Sequence, residues 1–257
     1  FVATCNAIRY CGAEPVFVDV ERDTLGLWAE RLAEFLETCA EVDDDGLCWN
    51  RTSNRVIRAC VPVHNLGHPA RVADTAGICA RHNIPVIEDA AESLGSYADG
   101  VHTGRTGCMG VLSFNGNKII TTGGGGMILT DDEKLSDKAR YLTTQAKDDP
   151  IEYVHNEIGY NYRLTNIQAA MGVAQMEQLP GYVKAKRALA LRYQKWFENF
   201  EVPFILEPPD TRSNYWLNVA ITEDQQHRDV MLEVTNSSGI TTRPAWTPMH
   251  KLAINQD

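Results

Sequence analysis

The chain has 257 residues, of which 44% are hydrophobic, so it is long enough to bury a large core in one domain or in one domain and part of a second. Its formal net charge of −10 argues against general binding to nucleic acid or to an anionic membrane, because both attract basic surfaces. No apolar run is long enough to span a bilayer, and no signal peptide is visible. Seven cysteines without C-x-x-C spacing indicate reduced thiols in a cytosolic protein.

Short apolar runs alternate with segments of helical periodicity along the chain. The runs predict strands at residues 16–20 (buried), 56–63, 84–87, 109–114, 127–130 and 215–221. The periodic segments predict helices at residues 28–39, 69–79 and 226–237. The acidic stretch between the first helix and the second strand, residues 41–55, predicts a loop.

Two capping boxes predict the starts of two more helices, at Thr130 with Glu133 and at Thr165 with Gln168. Apolar residues at helical spacing then predict the inner face of a long helix, formed by Leu189, Tyr193, Trp196 and Phe200.

Strands that alternate with helices predict an α/β layered fold with a mostly parallel sheet. The prolines at positions 203, 208 and 209 indicate a boundary. We therefore predict a large domain at residues 1–200 and the beginning of a small C-terminal α+β domain at residues 201–257.

Asp89 and Lys118 are the first candidates for chemistry. Asp89 ends a predicted strand, where open α/β sheets bind ligands, and a carboxylate there could pair with a cationic ring nitrogen. Lys118 follows Ser113 by five residues in a strand-to-turn segment, and a lysine held away from water can attack an aldehyde to form a Schiff base. Ser113 could bind a phosphate. A solvated strand-end acid and a surface lysine remain the ordinary alternatives.

Two loop motifs and a histidine pair are less specific. The four glycines at residues 123–126 allow close backbone approach but form neither a dinucleotide fingerprint nor a P-loop. Residues 159–164 precede a capped helix, where polar groups could meet a phosphate, although an ordinary loop fits equally. His64 and His68 have metal-like spacing, but Gly67 and Pro69 argue against a helix, and no metal site is expected.

The order of these motifs is more specific than any one of them. They read EDAAES at residues 88–93, SFNGNK at 113–118, a glycine run at 123–126 and GYNYRL at 159–164. Together they resemble the DegT/DnrJ/EryC1/StrS family of nucleotide-sugar aminotransferases, and the similarity extends over essentially the whole chain. The resemblance implies the PLP-dependent transferase fold type I of aspartate aminotransferase, with a three-layer α/β/α large domain. It also implies a cytoplasmic homodimer with shared active sites.

The family's roles carry over to residues that match its motifs. Lys118 resembles the lysine that binds pyridoxal 5'-phosphate (PLP) covalently and moves protons between cofactor and substrate. Asp89 resembles the carboxylate that keeps the pyridine nitrogen protonated, and Ser113 resembles the serine that binds the cofactor phosphate. Asn161 resembles the asparagine that reaches this phosphate from the partner subunit. Phe1 stands where the family places an aromatic ring over the pyridine.

The sequence departs from the family pattern at Glu92 and at both ends. Glu92 stands where many members have glutamine near the cofactor's 3-hydroxyl group, and an ionised carboxylate there would repel the phenolate oxygen. The family's phosphate-binding Gly-Ser/Thr loop is expected before Phe1, and most of the small domain is expected after Asp257. The chain alone is therefore expected to bind the cofactor weakly.

Two further segments carry a more specific resemblance. Residues 117–126 and 242–250 are similar to members that aminate C4 of a 4-keto-6-deoxy sugar in legionaminic-acid, bacillosamine and perosamine synthesis. This implies glutamate as amino donor and a nucleotide-linked keto-sugar as acceptor, for surface polysaccharides or glycoprotein glycans. Arg163 and Arg243 are candidates for substrate phosphate or carboxylate, although surface salt bridges explain them equally well.

Three other functions are weighed against this one. A sugar dehydratase of the same fold has histidine in place of the lysine, so Lys118 argues against it. A non-catalytic protein of this fold does not need Asp89, Ser113 and Lys118 together. A Rossmann-type dehydrogenase would need the dinucleotide fingerprint that the chain lacks.

Overall fold

A computed structural model describes residues 1–149, 151–200 and 202–256. The helices are α1 Val2–Tyr10, α2 Ala29–Cys39, α3 Val72–Ala80, α4 Glu133–Thr143, α5 Asn166–Phe197 and α6 Gln225–Ser237. The strands are β1 Ala40–Val42, β2 Cys48–Asn50, β3 Arg55–Val56, β4 Ile87–Asp89, β5 Tyr97–Ala98, β6 Val101–His102, β7 Met109–Ser113, β8 Gly126–Leu129 and β9 Thr211–Arg212. The predicted α/β composition is confirmed. None of these helices combines the length and the apolar character that crossing a membrane requires.

The chain divides into two compact units. The site unit comprises Asp19–Ala190 and Glu207–Leu217. The terminal unit comprises Phe1–Val18, Leu191–Leu206 and the described residues from Asn218 onward. The predicted division into domains at residue 200 stays a prediction.

The sheet that positions the candidate site lies in the site unit and has the order β4-β7-β8. β4 is parallel to β7 and β7 is antiparallel to β8. Parallel bridges also join residues 60 and 63 to residues 86 and 89, so the predicted run at 56–63 lies beside β4. A hydrophobic core packs around β7 and α5, and consists of Ala90, Leu94, Leu112, Phe114, Ile120, Leu179 and Val183. Burial of each large side chain stabilises the packing of the sheet on the helix by about 1.5–3 kcal/mol.

Three predicted elements differ from the structure. Residues 16–20 form no strand, and Val16 and Phe17 are exposed; only Val20 makes a bridge, to Leu27. The predicted loop at 41–55 instead contains the antiparallel sheet β1-β2-β3. The predicted continuous strand at 215–221 is also wrong: its first residue, Tyr215, is left-handed with φ 49°, and the segment makes an isolated bridge from Ala220 to Phe204.

The long helix α5 buries a different face from the predicted one. Its buried residues include Leu179, Val183, Ala190 and Phe197, spaced by 4, 7 and 7 positions. The predicted inner face is exposed, with relative exposures of 38–56% at Leu189, Tyr193, Trp196 and Phe200. Two apolar stripes satisfy helical spacing here, and only contact with the core decides which one is buried.

The two predicted capping boxes have different outcomes. The box that precedes α5 is confirmed: the Gln168 N–H donates to Thr165 Oγ1 at 3.4 Å, and the Thr165 N–H donates to Gln168 Oε1 at 3.3 Å. Thr130 does not cap α4. That role belongs to Asp132, whose Oδ1 accepts from the Lys134 and Leu135 N–H groups at 2.8 and 3.2 Å.

Asp132→Ala is therefore expected to lower the free energy of unfolding by about 1 kcal/mol, because two N–H groups lose their acceptor. Urea unfolding measures this change, with Asp131→Ala as the matched control since Asp131 is a neighbouring exposed acid outside the cap. Equal destabilisation by both substitutions would contradict the assignment of the cap.

Candidate active site

Asp89 and Ser113 are the last residues of β4 and β7. These strands are parallel, and Asp89 pairs with Val111, so Ser113 lies two residues further along at the same edge of the sheet. Asp89 Oδ1 accepts from the Ala91 N–H at 3.1 Å, which fixes the turn that follows the strand. The structure thus places two of the predicted cofactor-binding residues at the carboxyl edge, where open α/β sheets bind ligands.

Lys118 and Glu92 meet beyond this edge. Lys118 Nζ lies 3.6 Å from Glu92 Oε1, and the lysine side chain is only 12% exposed. The Lys118 N–H donates to the Asn115 carbonyl at 3.0 Å, so the turn after β7 positions the residue. A lysine withdrawn from water beside a carboxylate is unlike the solvated lysine of an ordinary surface turn.

Glu92 is itself buried, with its other oxygen accepting from the Leu66 N–H at 2.7 Å. Burial raises the pKa of Glu92, although this hydrogen bond and the charge of Lys118 oppose the shift. Burial thus makes Glu92 easier to protonate than an exposed glutamate, while its contact with Lys118 favours the carboxylate.

The glycine run forms the turn between Lys118 and β8. Gly123 and Gly125 have φ values of 79° and 84°, a region that residues with a side chain rarely adopt. Because the Phe114 N–H donates to the Gly125 carbonyl at 3.0 Å, the run returns the chain alongside the end of β7. The backbone conformation of this turn beside the site thus explains why glycine occupies these positions.

A buried pair, His64 and Glu88, supports the edge that carries Asp89. His64 Nε2 lies 2.9 Å from Glu88 Oε2, and His64 Nδ1 accepts from the Ala70 N–H at 3.0 Å. In the neutral ring the proton is therefore on Nε2, and this N–H donates a hydrogen bond to Glu88. Glu88 also accepts from three backbone N–H groups at 2.6–2.7 Å, those of Gly104, Thr106 and Gly107. Sequence reasoning did not identify this network.

His68 has different surroundings from His64. Its ring is fully buried, packs edge-on against Tyr215 and has no hydrogen-bond partner on either nitrogen. Burial lowers the pKa of His68 to about 4, so the ring is neutral at physiological pH. Within residues 1–149, 151–200 and 202–256, no group of three or more His, Cys, Asp or Glu side chains is arranged to hold a metal ion.

The other predicted site residues lie elsewhere, and their roles stay predictions. Asn161 is exposed and makes a backbone bridge to Thr144. Arg163 lines a cavity of about 760 Å³ above β8, together with Arg140 and Lys147. Phe1 and Arg243 belong to the terminal unit.

Trp216 is a residue of the site that sequence reasoning missed. Lys118 Nζ lies 4.2 Å from the centroid of its ring, and the indole Nε1 donates to the Asn117 carbonyl at 2.7 Å. Trp216 is 98 residues from Lys118 along the chain and lies in a segment that the sequence predicts to be a strand. No local pattern therefore indicates that it contacts the lysine. The contact brings a cation and an aromatic face together.

Comparison with known proteins gives this geometry a context. EpsN of Bacillus subtilis (strain 168), assigned as a pyridoxal phosphate-dependent aminotransferase, is 38% identical over 97% of this chain and 62% of its own length. A GDP-perosamine synthase of Escherichia coli O157:H7 is 34% identical over 98% of this chain and 64% of its own length. The chain thus spans less than two thirds of either relative.

The fold agrees with these relatives. A DegT DnrJ EryC1 StrS aminotransferase from Brucella abortus, whose crystal structure is known, superimposes with a TM-score of 0.88 at 28% identity, over 100% of this chain and 65% of that one. The expected fold type I of PLP-dependent aminotransferases is therefore confirmed. The family model for DegT/DnrJ/EryC1/StrS aminotransferases matches residues 1–257. The chain belongs to the DegT/DnrJ/EryC1/StrS aminotransferase family.

Proposed function

We propose that the protein is a PLP-dependent aminotransferase that moves an amino group from glutamate to C4 of a nucleotide-linked 4-keto-6-deoxy sugar. The observation that carries the proposal is the partly buried Lys118, which lies beside Glu92 just beyond the carboxyl edge of the β4-β7 pair. Membership of the aminotransferase family supports the reaction class. The GDP-perosamine synthases among its relatives support a sugar nucleotide as acceptor.

The residues at the sheet edge fit PLP chemically. A primary amine suits the aldehyde of PLP, a carboxylate suits its protonated pyridine nitrogen, and a hydroxyl suits its phosphate. Lys118, Asp89 and Ser113 would supply these groups: Asp89 and Ser113 end two adjacent parallel strands, and Lys118 lies in the turn after the second. PLP, when bound, supplies an electron sink for the substrate carbon.

The chain's own residues then have separate tasks. Lys118 would be the nucleophile toward the aldehyde and would carry the proton to and from the reacting carbon atoms as a general acid and base. Asp89 would keep the pyridine nitrogen protonated by its negative charge. Glu92 would lie near the 3-oxygen, and its raised pKa would make it easier to protonate there than an exposed glutamate.

Substrate recognition extends the proposal to exposed residues. Arg163 and Arg243 would pair with the phosphates or carboxylates of the substrates, because a guanidinium binds both through two parallel hydrogen bonds. Phe1 would cover the pyridine face. Asn161 would contact the cofactor phosphate of a partner subunit in a cytoplasmic homodimer. The cationic cavity lined by Arg140, Lys147 and Arg163 supports an anionic ligand on this face.

The substrate is tested by incubating the protein with PLP, ¹⁵N-glutamate and a panel of 4-keto-6-deoxy sugars linked to UDP, GDP or dTDP. Mass spectrometry should detect ¹⁵N in one sugar nucleotide, and the position of the amine at C4 should follow from NMR. Loss of water from the sugar without ¹⁵N incorporation would favour a dehydratase instead. Release of 2-oxoglutarate without any aminated sugar would retain the aminotransferase and overturn the acceptor.

A further inference from the structure

The indole ring of Trp216 and the carboxylate of Glu92 both contact the amino group of Lys118. The ring centroid lies 4.2 Å from Nζ, and Glu92 Oε1 lies 3.6 Å from it. Trp216 is 4% exposed, so water does not weaken the attraction between the ring face and the ammonium group from that side. The amino group thus lies against an aromatic ring face and a carboxyl group.

Trp216 is hydrogen-bonded to the segment before Lys118 and, through Asn214, to the segment that carries Glu92. Its indole Nε1 donates to the carbonyl of Asn117, the residue before Lys118, at 2.7 Å. Its backbone N–H donates to Asn214 Oδ1 at 2.7 Å, and Asn214 Nδ2 in turn donates to the Glu92 carbonyl at 2.9 Å. One tryptophan therefore links the turn that carries the lysine to the turn that carries the carboxylate.

The segment around Trp216 is rigid enough to hold a position. Asn214 is fully buried, and Lys186 Nζ donates to the Trp216 carbonyl at 2.8 Å. Gly67 has φ 95°, and a Cβ there would overlap Asn214. The backbone at Gly67 is therefore closely packed against the side chain of Asn214. Trp216 is held by its backbone and its ring nitrogen, and its ring face contacts Lys118.

We propose that Trp216 is a positioning residue, whose ring holds the amino group of Lys118 next to Glu92 whenever that amine is free. The inference rests on the proposed function, in which the lysine must take up and release a proton at a fixed place. A freely rotating lysine would lose much of the advantage of orientation. The ring restrains the ammonium without adding a second negative charge to the site.

The test that needs no cofactor is reductive methylation of the protein by formaldehyde and cyanoborohydride, followed by peptide mass spectrometry. Formaldehyde must reach the amine, so the ring that packs against Lys118 Nζ should slow labelling of Lys118. We expect Trp216→Leu to label Lys118 about threefold to tenfold faster than the wild type, and Trp216→Phe to be intermediate, because phenylalanine keeps a weaker aromatic face. Lys186, whose Nζ donates to the backbone carbonyl of residue 216, is the internal control and should label at an unchanged rate.

Equal labelling of Lys118 in all three proteins would overturn the inference. Faster labelling of Lys186 in Trp216→Leu would show that the local fold is lost in that variant. Trp216→Phe then decides alone: a rate at least about twice that of the wild type supports the role, and an unchanged rate contradicts it.

A second readout separates this inference from the proposed function. In the presence of PLP and glutamate, Trp216→Leu should bind as much cofactor as the wild type but convert it more slowly, with partial rescue in Trp216→Phe. If the wild type itself converts nothing, the proposed function fails, while the labelling rates still decide the role of Trp216.

Discussion

Replacing Lys118 by alanine is expected to abolish amino transfer, with a loss of at least about 10⁴-fold, because one side chain serves as both nucleophile and proton carrier. The same change should remove the covalent attachment of PLP. Borohydride reduction followed by peptide mapping measures it: the wild type should gain the mass of PLP on the peptide that contains Lys118. Lys134→Ala, on the exposed surface of α4, is the matched control and should retain both properties.

The result is informative in either direction. Attachment to another lysine in the wild type would displace Lys118 from the site, whatever its surroundings. Retention of full activity in Lys118→Ala would show that the contact with Glu92 is only a buried ion pair.

Replacing Glu88 by alanine is expected to lower the free energy of unfolding by about 3–5 kcal/mol. The fully buried carboxylate accepts from His64 Nε2 and from three backbone N–H groups, and all four donors would lose their partner. Urea unfolding measures the loss. Glu177→Ala, at an exposed position of α5, is the matched control and should change stability by less than about 0.5 kcal/mol. A similar small change in Glu88→Ala would contradict the structural role.

The stabilisation by Glu88 should also depend on pH. Burial alone would raise the pKa of Glu88, but the hydrogen bonds from His64 and the backbone outweigh burial and lower it below its ordinary value of 4.5. The carboxylate therefore contributes its full stability above pH 4.5, and this contribution is lost as the pH falls through the lower folded-state value. The difference in unfolding free energy between the wild type and Glu88→Gln should thus shrink below pH 4.5. A difference that is constant from pH 7 to pH 3 would contradict this account.

The sequence predicted those parts of the site that local patterns determine. A short apolar run that ends in Glu88 and Asp89 predicts a strand end, and the structure ends β4 at Asp89. The run before Lys118 likewise becomes β7, which ends at Ser113. The order of the motifs then identified the family.

The sequence did not predict contacts between distant segments. Trp216 reaches Lys118 across 98 positions, and its segment has the composition of a strand but makes an isolated bridge at Ala220. His64 and Glu88 were interpreted separately, because nothing local indicates that a histidine donates to a carboxylate 24 residues later.

Periodicity was also ambiguous where two apolar faces compete. Helix α5 carries one stripe through Leu179 and Val183 and another through Leu189 and Trp196, and the core selects the first. Residues 16–20 are apolar enough for a strand, but a strand also needs a neighbour to accept its hydrogen bonds, and only Val20 finds one.

The most direct test of the proposed function is the absorbance spectrum of the protein saturated with PLP, recorded before and after addition of glutamate. The proposal predicts a visible band from lysine-bound cofactor that glutamate bleaches, and that is absent in Lys118→Ala. Binding of PLP without this band, or a band that glutamate leaves unchanged, would contradict the proposal that the protein is a glutamate-dependent aminotransferase.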